Sequence, residues 1–305
     1  MTTTVNHHNG TIILGCPRSG TTLLRRLLGA HPNISAPGET YILTSSARFL
    51  ASDPSIDGMQ VGVINGLGFL GVEEEALLAR LRAFAVEFLE EHAAKSGKGR
   101  WLEKTAVDAF HVDAIERIFG DHANFISVTR HGLDVVCSME EWCRKSGAYP
   151  RELHVYIQQH SQPLIAFAHA WVAAVNSILD FAERHPQNTM TLRYEDLVSA
   201  PEEMTNKILG FIGEPVVPDL LETALSDPSP RGFSDWKTFS KDRVDASSIQ
   251  RWRKLPPATI RELAEVLNPT LTRCGYEPIR VSPADTDENA RRRYEMGLTL
   301  QSLKR

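Results

Sequence analysis

The sequence predicts a mixed α/β domain with a central parallel sheet flanked by helices, and three observations carry that prediction. Short apolar runs suited to buried strands stand at residues 11–14, 125–129 and 189–193. Each is followed, after a loop, by a stretch whose apolar positions recur at helical spacing. The first strand and first helix are joined by a glycine-containing loop, and strand–loop–helix is the opening unit of a parallel α/β fold.

Taken in order, residues 11–14 end in Gly15 and form the first strand. Residues 21–29 follow as a helix with leucines at 23, 24, 27 and 28, stopped by His31-Pro32-Asn33. Residues 40–50 read as a short helix. Residues 73–94 form a long amphipathic helix with Leu77, Leu78, Leu81, Phe84, Ala85, Phe88 and Leu89 along one face. The strand at 125–129 leads into a helix through Val135 and Trp142, and residues 162–183 form another long helix. After the strand at 189–193 comes a helix at 202–212. Residues 226–248 are rich in Ser, Asp, Pro, Lys and Arg and read as a long loop, and residues 256–274 return to helix. The expected organisation is a flexible N-terminus over residues 1–10, one domain over 11–281, and a polar tail over 282–305 holding a helix near 288–303.

Composition narrows the function. The chain has 305 residues, 42% of them hydrophobic, enough for a sizeable core. The formal net charge of −5 argues against a general binder of nucleic acid or anionic membrane, which needs a basic face. Any anionic ligand must therefore meet a local cluster of cations. The four cysteines, Cys16, Cys137, Cys143 and Cys274, form no C-x-x-C pair, and no histidines have zinc spacing. Reduced thiols, no apolar leader in the first ten residues, and an apolar stretch at 61–72 too short to span a bilayer point to a cytoplasmic protein without a membrane span.

The chemistry concentrates in Gly15-Cys16-Pro17-Arg18-Ser19-Gly20-Thr21-Thr22, which has the G-x-x-x-x-G spacing of a P-loop between strand and helix. Such a loop turns successive backbone N–H groups into one cavity and adds the positive end of a helix dipole. Thr21 stands where a triphosphate-binding loop carries lysine, and Arg18 supplies the cation instead. That favours a nucleotide with a single 5′-phosphate group over a nucleoside triphosphate. A second anion site is suggested by Arg130 at the end of the strand 125–129 and Ser138, eight residues on, two turns into the next helix. An arginine fork and a hydroxyl converge well on one phosphate. The alternative is a local pair between Arg130 and Asp134. Two cradles suit one ligand with phosphates at both ends of a nucleoside.

With these sites the chain resembles the sulfotransferases that use 3′-phosphoadenosine-5′-phosphosulfate (PAPS), most of all the tyrosylprotein sulfotransferase-like group. The matching segments are Pro17-Arg18-Ser19-Gly20-Thr21-Thr22, Ala30-His31-Pro32, Gly38-Glu39-Thr40, Glu103-Lys104-Thr105, Arg130 with Ser138, Tyr194-Glu195-Asp196-Leu197, Arg251-Trp252 with Pro256-Pro257, and Gly275-Tyr276-Glu277-Pro278. The resemblance implies a P-loop-type domain and sulfuryl transfer from PAPS to a hydroxyl or amine acceptor. It implies that Arg18, Ser19, Gly20, Thr21 and Thr22 grip the 5′-phosphosulfate and that Arg130 and Ser138 grip the 3′-phosphate. Tyr194 becomes a cofactor contact, and Arg251 and Arg253 belong to a basic loop closing over the nucleotide. Glu39 matches the general base, with His111 as second choice, and Arg18 and Lys104 are the cations for the leaving phosphate.

No Mg²⁺ is expected, because the sulfuryl group carries less charge than a phosphoryl group. The acceptor, a small molecule or a peptide, falls on segments 42–71 and 144–167, which carry no motif. Phe49, Phe69, Tyr149, Tyr156 and Phe167 there are candidates for an apolar pocket, or for core. Oligomeric state is open, with a homodimer one reading. Two rival functions stand beside the transferase: a variant P-loop kinase or NTPase, and a non-catalytic nucleotide-binding module.

Overall fold

The computed structural model describes residues 8–54, 58, 60–226, 244, 246–280, 295–297 and 299. The chain divides into two compact units, one made of Met1–Thr129 and Ser177–Val244, the other of Arg130–Asn176 and Asp245–Arg305.

The first unit carries a five-stranded sheet in the order β2-β5-β1-β6-β7, parallel throughout. In chain order, β1 (Gly10–Leu14) is buried along its whole length and leads through the phosphate loop into α1 (Thr21–Gly29). The turn at His31-Pro32-Asn33 delivers the two-residue edge strand β2 (Ile34–Ser35). Then come α2 (Ile42–Phe49), a small antiparallel pair β3 (Ser52–Pro54) and β4 (Gln60–Gly62), α3 (Val63–Gly68) and α4 (Glu74–Lys95). Strand β5 (Arg100–Glu103) returns to the sheet between β2 and β1. A 3₁₀ turn (Ala106–Phe110), α5 (Val112–Phe119) and β6 (Asn124–Thr129) follow.

The second unit opens with α6 (Gly132–Ser146), then α7 (His154–Gln159) and α8 (Pro163–Arg184), whose last turns belong to the first unit. Edge strand β7 (Thr189–Arg193), α9 (Tyr194–Ser199), α10 (Pro201–Ile212) and α11 (Leu220–Ser226) complete the first unit, and α12 (Pro257–Arg273) belongs to the second.

Most elements lie where the apolar spacing puts them. The helix at 21–29 has the expected bounds, and the three expected strands are β1, β6 and β7. The other two strands of the sheet, β5 and β2, carried no such signal, nor did the β3–β4 pair. On α4 the expected face is narrower: Leu77, Leu78, Ala85 and Leu89 are buried, whereas Phe84 and Phe88 are half exposed and pack edge-to-face on each other at 5.1 Å. Helix α4 packs on β5, β2 and α5, and its remaining side faces solvent.

The edge strand β2 is held by polar ties. Lys98 Nζ donates to the carbonyls of Gly29, His31 and Ile34, and Glu214 accepts from Asn33 and pairs with Arg100. These ties give the Ala30-His31-Pro32 motif a structural role. The expected loop at 226–248, the residues 1–7 of the expected flexible N-terminus, and most of the expected tail helix lie outside the described residues.

Candidate active site

In a parallel sheet all strand carboxyl ends share one edge, and ligands sit beyond that edge. The sequence-predicted residues of the first unit follow it. The phosphate loop leaves β1, Lys104 leaves β5, Tyr194 leaves β7, and Glu39 lies four residues past β2. Register aligns these exits, with Ile12 beside Glu103, Leu14 beside Ser127, and Thr129 beside Arg193.

The loop is wound tightly. Arg18 and Gly20 both have positive φ, 73° and 94°, and Ser19 N–H bonds back to the Cys16 carbonyl at 3.0 Å. An αL residue flanked by such turns points backbone N–H groups inward as an anion nest. Ser19 is fully buried, and its hydroxyl has no partner among the described residues, so the donor set fits a tetrahedral oxyanion. Gly20 is required by packing as well as by φ. A Cβ there would stand 2.2 Å from the ring of Tyr194, which therefore packs directly against the loop. Cys16, also in the loop, is buried, and burial pushes its thiol up, away from the thiolate form.

Lys104 joins the loop to the carboxylate. Its Nζ lies 2.6 Å from Glu39 Oε1 and donates to Thr22 Oγ1 at 3.1 Å. The two side chains are 0% and 6% exposed, so this is a buried pair. Glu39 Oε1 also accepts the Ala106 N–H at 3.3 Å, and the Tyr41 hydroxyl stands 3.5 Å from Oε2. His111 sits at the junction of the 3₁₀ turn and α5, where its carbonyl caps the helix by accepting from Ile115.

Behind this pair lie two carboxyls that sequence reasoning passed over. Glu103 and Asp108 are both 0% exposed. Burial raises the Glu103 carboxyl to about 7, opposed by hydrogen bonds from Thr105 and Thr40 and by Lys104, with Glu39 adding to the rise. Asp108 is raised well above the ordinary range, by burial first and then by Glu103, against a hydrogen bond from Thr44 Oγ1 at 2.5 Å. The signal was present as two acids among the mostly apolar residues from Trp101 to Phe110, with Lys104 between them.

The second unit holds the other predicted cradle. Arg130, the residue after β6, is 5% exposed and donates through Nη2 to the Ser248 carbonyl at 2.5 Å, and Ser138 is 5% exposed on α6. Asp134 accepts the backbone N–H groups of Gln250 and Arg251, both at 2.8 Å, and so ties down the start of the 3₁₀ turn Arg251–Lys254. Arg251 itself pairs with Glu141 at 2.7 Å, and the Arg253 guanidinium stands 5.9 Å from the Trp252 ring. Trp252 stacks on His131, with Tyr276 edge-on to the same imidazole.

The family model described as sulfotransferase family matches residues 11–219. The chain belongs to the sulfotransferase family. It is an enzyme that transfers a sulfuryl group from PAPS to an acceptor, and the kinase and NTPase reading is set aside. Among similar proteins, nodulation protein NoeE of Sinorhizobium fredii is 27% identical over 282 residues, 87% of this chain and 65% of its own. Protein-tyrosine sulfotransferase 1 of Danio rerio is 26% identical over 272 residues, 87% of this chain and 71% of its own. The sulfotransferase domain from the curacin biosynthetic pathway superposes with a TM-score of 0.62 at 20% identity, covering 88% of this chain and 98% of that one, and shares the fold.

The cytoplasmic expectation is corrected. The protein-tyrosine sulfotransferases among the relatives are Golgi membrane proteins in animals. The expectation of no membrane span also meets a longer apolar segment than 61–72. Helix α8 is long and apolar enough to cross a membrane by length and composition, with 56% of its most apolar window buried, as in a core helix. The spacing of apolar positions cannot separate those two uses of a helix. Of the proposed acceptor aromatics, Phe167 is core at 1% exposure, while Phe49 and Phe69 are exposed at 51% and 83%. Among the described residues no group of three or more His, Cys, Asp or Glu is placed to hold a metal ion.

Proposed function

We propose that Glu39 is the general base of this sulfotransferase and that Lys104 and Arg18 are the cations that receive charge on the departing phosphate. The supporting observation is the single ammonium of Lys104, which touches both the carboxylate and a hydroxyl of the donor loop. In the reaction the acceptor oxygen or nitrogen bonds to sulfur and its proton passes to the Glu39 carboxylate. The bond from sulfur to the 5′-phosphate oxygen breaks, and adenosine 3′,5′-bisphosphate leaves. Charge grows on that phosphate oxygen, where a preorganised ammonium and guanidinium lower the barrier without solvent reorganisation.

Residues Arg18, Ser19, Gly20, Thr21 and Thr22 hold the 5′ end, with Tyr194 packed on the loop. Arg130 and Ser138 take the 3′-phosphate, and Arg251 and Arg253, on the turn that Asp134 anchors, are further nucleotide contacts. No metal is required for these steps. The acceptor is a hydroxyl or amine on a small molecule or peptide, and a peptide tyrosine is the first class to try because relatives are named for it.

The test is transfer of labelled sulfate from PAPS to a panel of phenols, aliphatic alcohols, amines and tyrosine-containing peptides. Glu39→Ala is expected to lower kcat by about 100-fold or more for a lost general base. A Glu39→Ala enzyme at full rate removes the base assignment. Tight binding of the bisphosphate with no turnover on any acceptor favours a binding module instead.

A further inference from the structure

Arg25 lies on α1, the helix that begins at the phosphate loop, and is 2% exposed. A buried guanidinium needs acceptors, and this one reaches across to the chain that carries Glu39. Its Nη1 donates to the Pro37 carbonyl at 2.9 Å and to the Ala36 carbonyl at 3.4 Å. These residues immediately precede Gly38-Glu39. Packing reinforces the approach, since a Cβ on Gly29 would stand 2.9 Å from the Ala36 Cβ. On the far side of Glu39, the Tyr41 N–H donates to Thr105 Oγ1 at 3.1 Å, and Tyr41 is held at φ 59°. The segment bearing the carboxylate is thus tied at one end to α1 and at the other to the turn after β5.

We infer that Arg25 is a positioning residue for Glu39, fixing the carboxylate relative to the donor loop through the main chain of Ala36 and Pro37. The inference rests on Glu39 being the base. The same helix makes both the end of the phosphate loop and the tether of the base, so one rigid element sets the distance between them. A displacement of about 1 Å at a reacting group costs on the order of 100-fold in rate. The neighbouring Arg26 is an internal control. It is 7% exposed and donates to the carbonyls of Ala224 and Leu225, both at 2.8 Å, on α11. Its chemistry is the same, but its target is not the segment that bears Glu39.

The test is a double-mutant cycle on PAPS-dependent transfer to the fastest acceptor of the panel above, using Arg25→Gln and Arg25→Lys, alone and with Glu39→Ala. Arg25→Gln is expected to lower kcat by about 10- to 100-fold with the KM for PAPS and the Kd for the bisphosphate within about twofold. Arg25→Lys, which keeps one charged donor, recovers part of the rate and carries the cycle if the glutamine variant does not fold. In the Glu39→Ala background neither variant costs anything further. Arg26→Gln lowers the melting temperature without that split. If Glu39→Ala keeps its rate, the base assignment fails and this inference with it. If Glu39→Ala loses its rate but the Arg25 variants cost the same factor in both backgrounds, or weaken nucleotide binding in step with kcat, the positioning role alone is refuted.

Discussion

Replacing Lys104 with methionine separates a buried ion pair from its structural neighbours with little change in side-chain volume. The ammonium is 0% exposed and its partner Glu39 is 6% exposed at 2.6 Å, so the discount that applies to surface pairs does not apply here. Removing one partner leaves a carboxylate in low dielectric with no compensating charge, which costs about 3–5 kcal/mol. Against a total stability of about 5–15 kcal/mol, that is a large share. The expected fall in Tm is about 10 °C, at a few degrees per kcal/mol for a unit of this size. Calorimetric unfolding of Lys104→Met, Glu39→Leu and the double variant checks it. The double variant is expected to regain much of the loss, because both charges are then gone. A Lys104→Met protein that melts within about 2 °C of the parent would refute the reasoning, since the penalty in question is several kcal/mol. So would a double variant no more stable than the single one.

Two further outcomes follow from the same cluster and the loop beside it. The Glu103 carboxyl, raised from its ordinary 4.5 to about 7, keeps its proton in the folded chain after the unfolded chain has lost it. Stability therefore falls as pH rises from about 4.5 to 7 and is level above that, and Glu103→Gln removes part of this slope. The parent's loss across that window is up to about 3 kcal/mol, read from denaturant midpoints across pH. An unchanged slope would show that Glu103 does not carry it. Gly20→Ala forces a methyl against Tyr194 and a strained φ on the loop. At about 1–3 kcal/mol of strain, it is expected to weaken binding of the bisphosphate by about tenfold or more by titration calorimetry. Unaltered affinity would show that the loop does not need this geometry.

What the sequence made legible was whatever depends on local spacing. The buried strands β1 and β6, the edge strand β7 and the helices after them announced themselves by their apolar spacing. The loop announced itself by its two glycines, its arginine and its two threonines. What stayed hidden depends on partners far apart in the chain. Strand β5 is only four residues long, opens with arginine and ends in glutamate, and β2 has two residues, so neither shows a strand's period. Glu39 and Lys104 are 65 residues apart, and nothing local says that they touch. Asp134, weighed as a partner for Arg130, accepts main-chain N–H groups 116 and 117 residues away, which no local spacing shows. Nothing in the sequence marks Arg25 out on its helix, because the carbonyls it binds, of Ala36 and Pro37, lie 11 and 12 residues on. The long α8 shows the converse limit, because composition alone suits it to two solvents.

The most direct trial of the account compares calorimetric binding of adenosine 3′,5′-bisphosphate and adenosine 5′-phosphate to the parent and to Arg130→Ala. The parent is expected to prefer the bisphosphate by about 100-fold, near 3 kcal/mol, and Arg130→Ala to bring the two ligands to within a few-fold of each other. Binding of the 5′-phosphate itself should be little changed by that substitution and lost with Arg18→Ala. If Arg130→Ala keeps the parent's preference, the 3′-phosphate is held elsewhere, and the assignment of one nucleotide gripped at both ends is wrong.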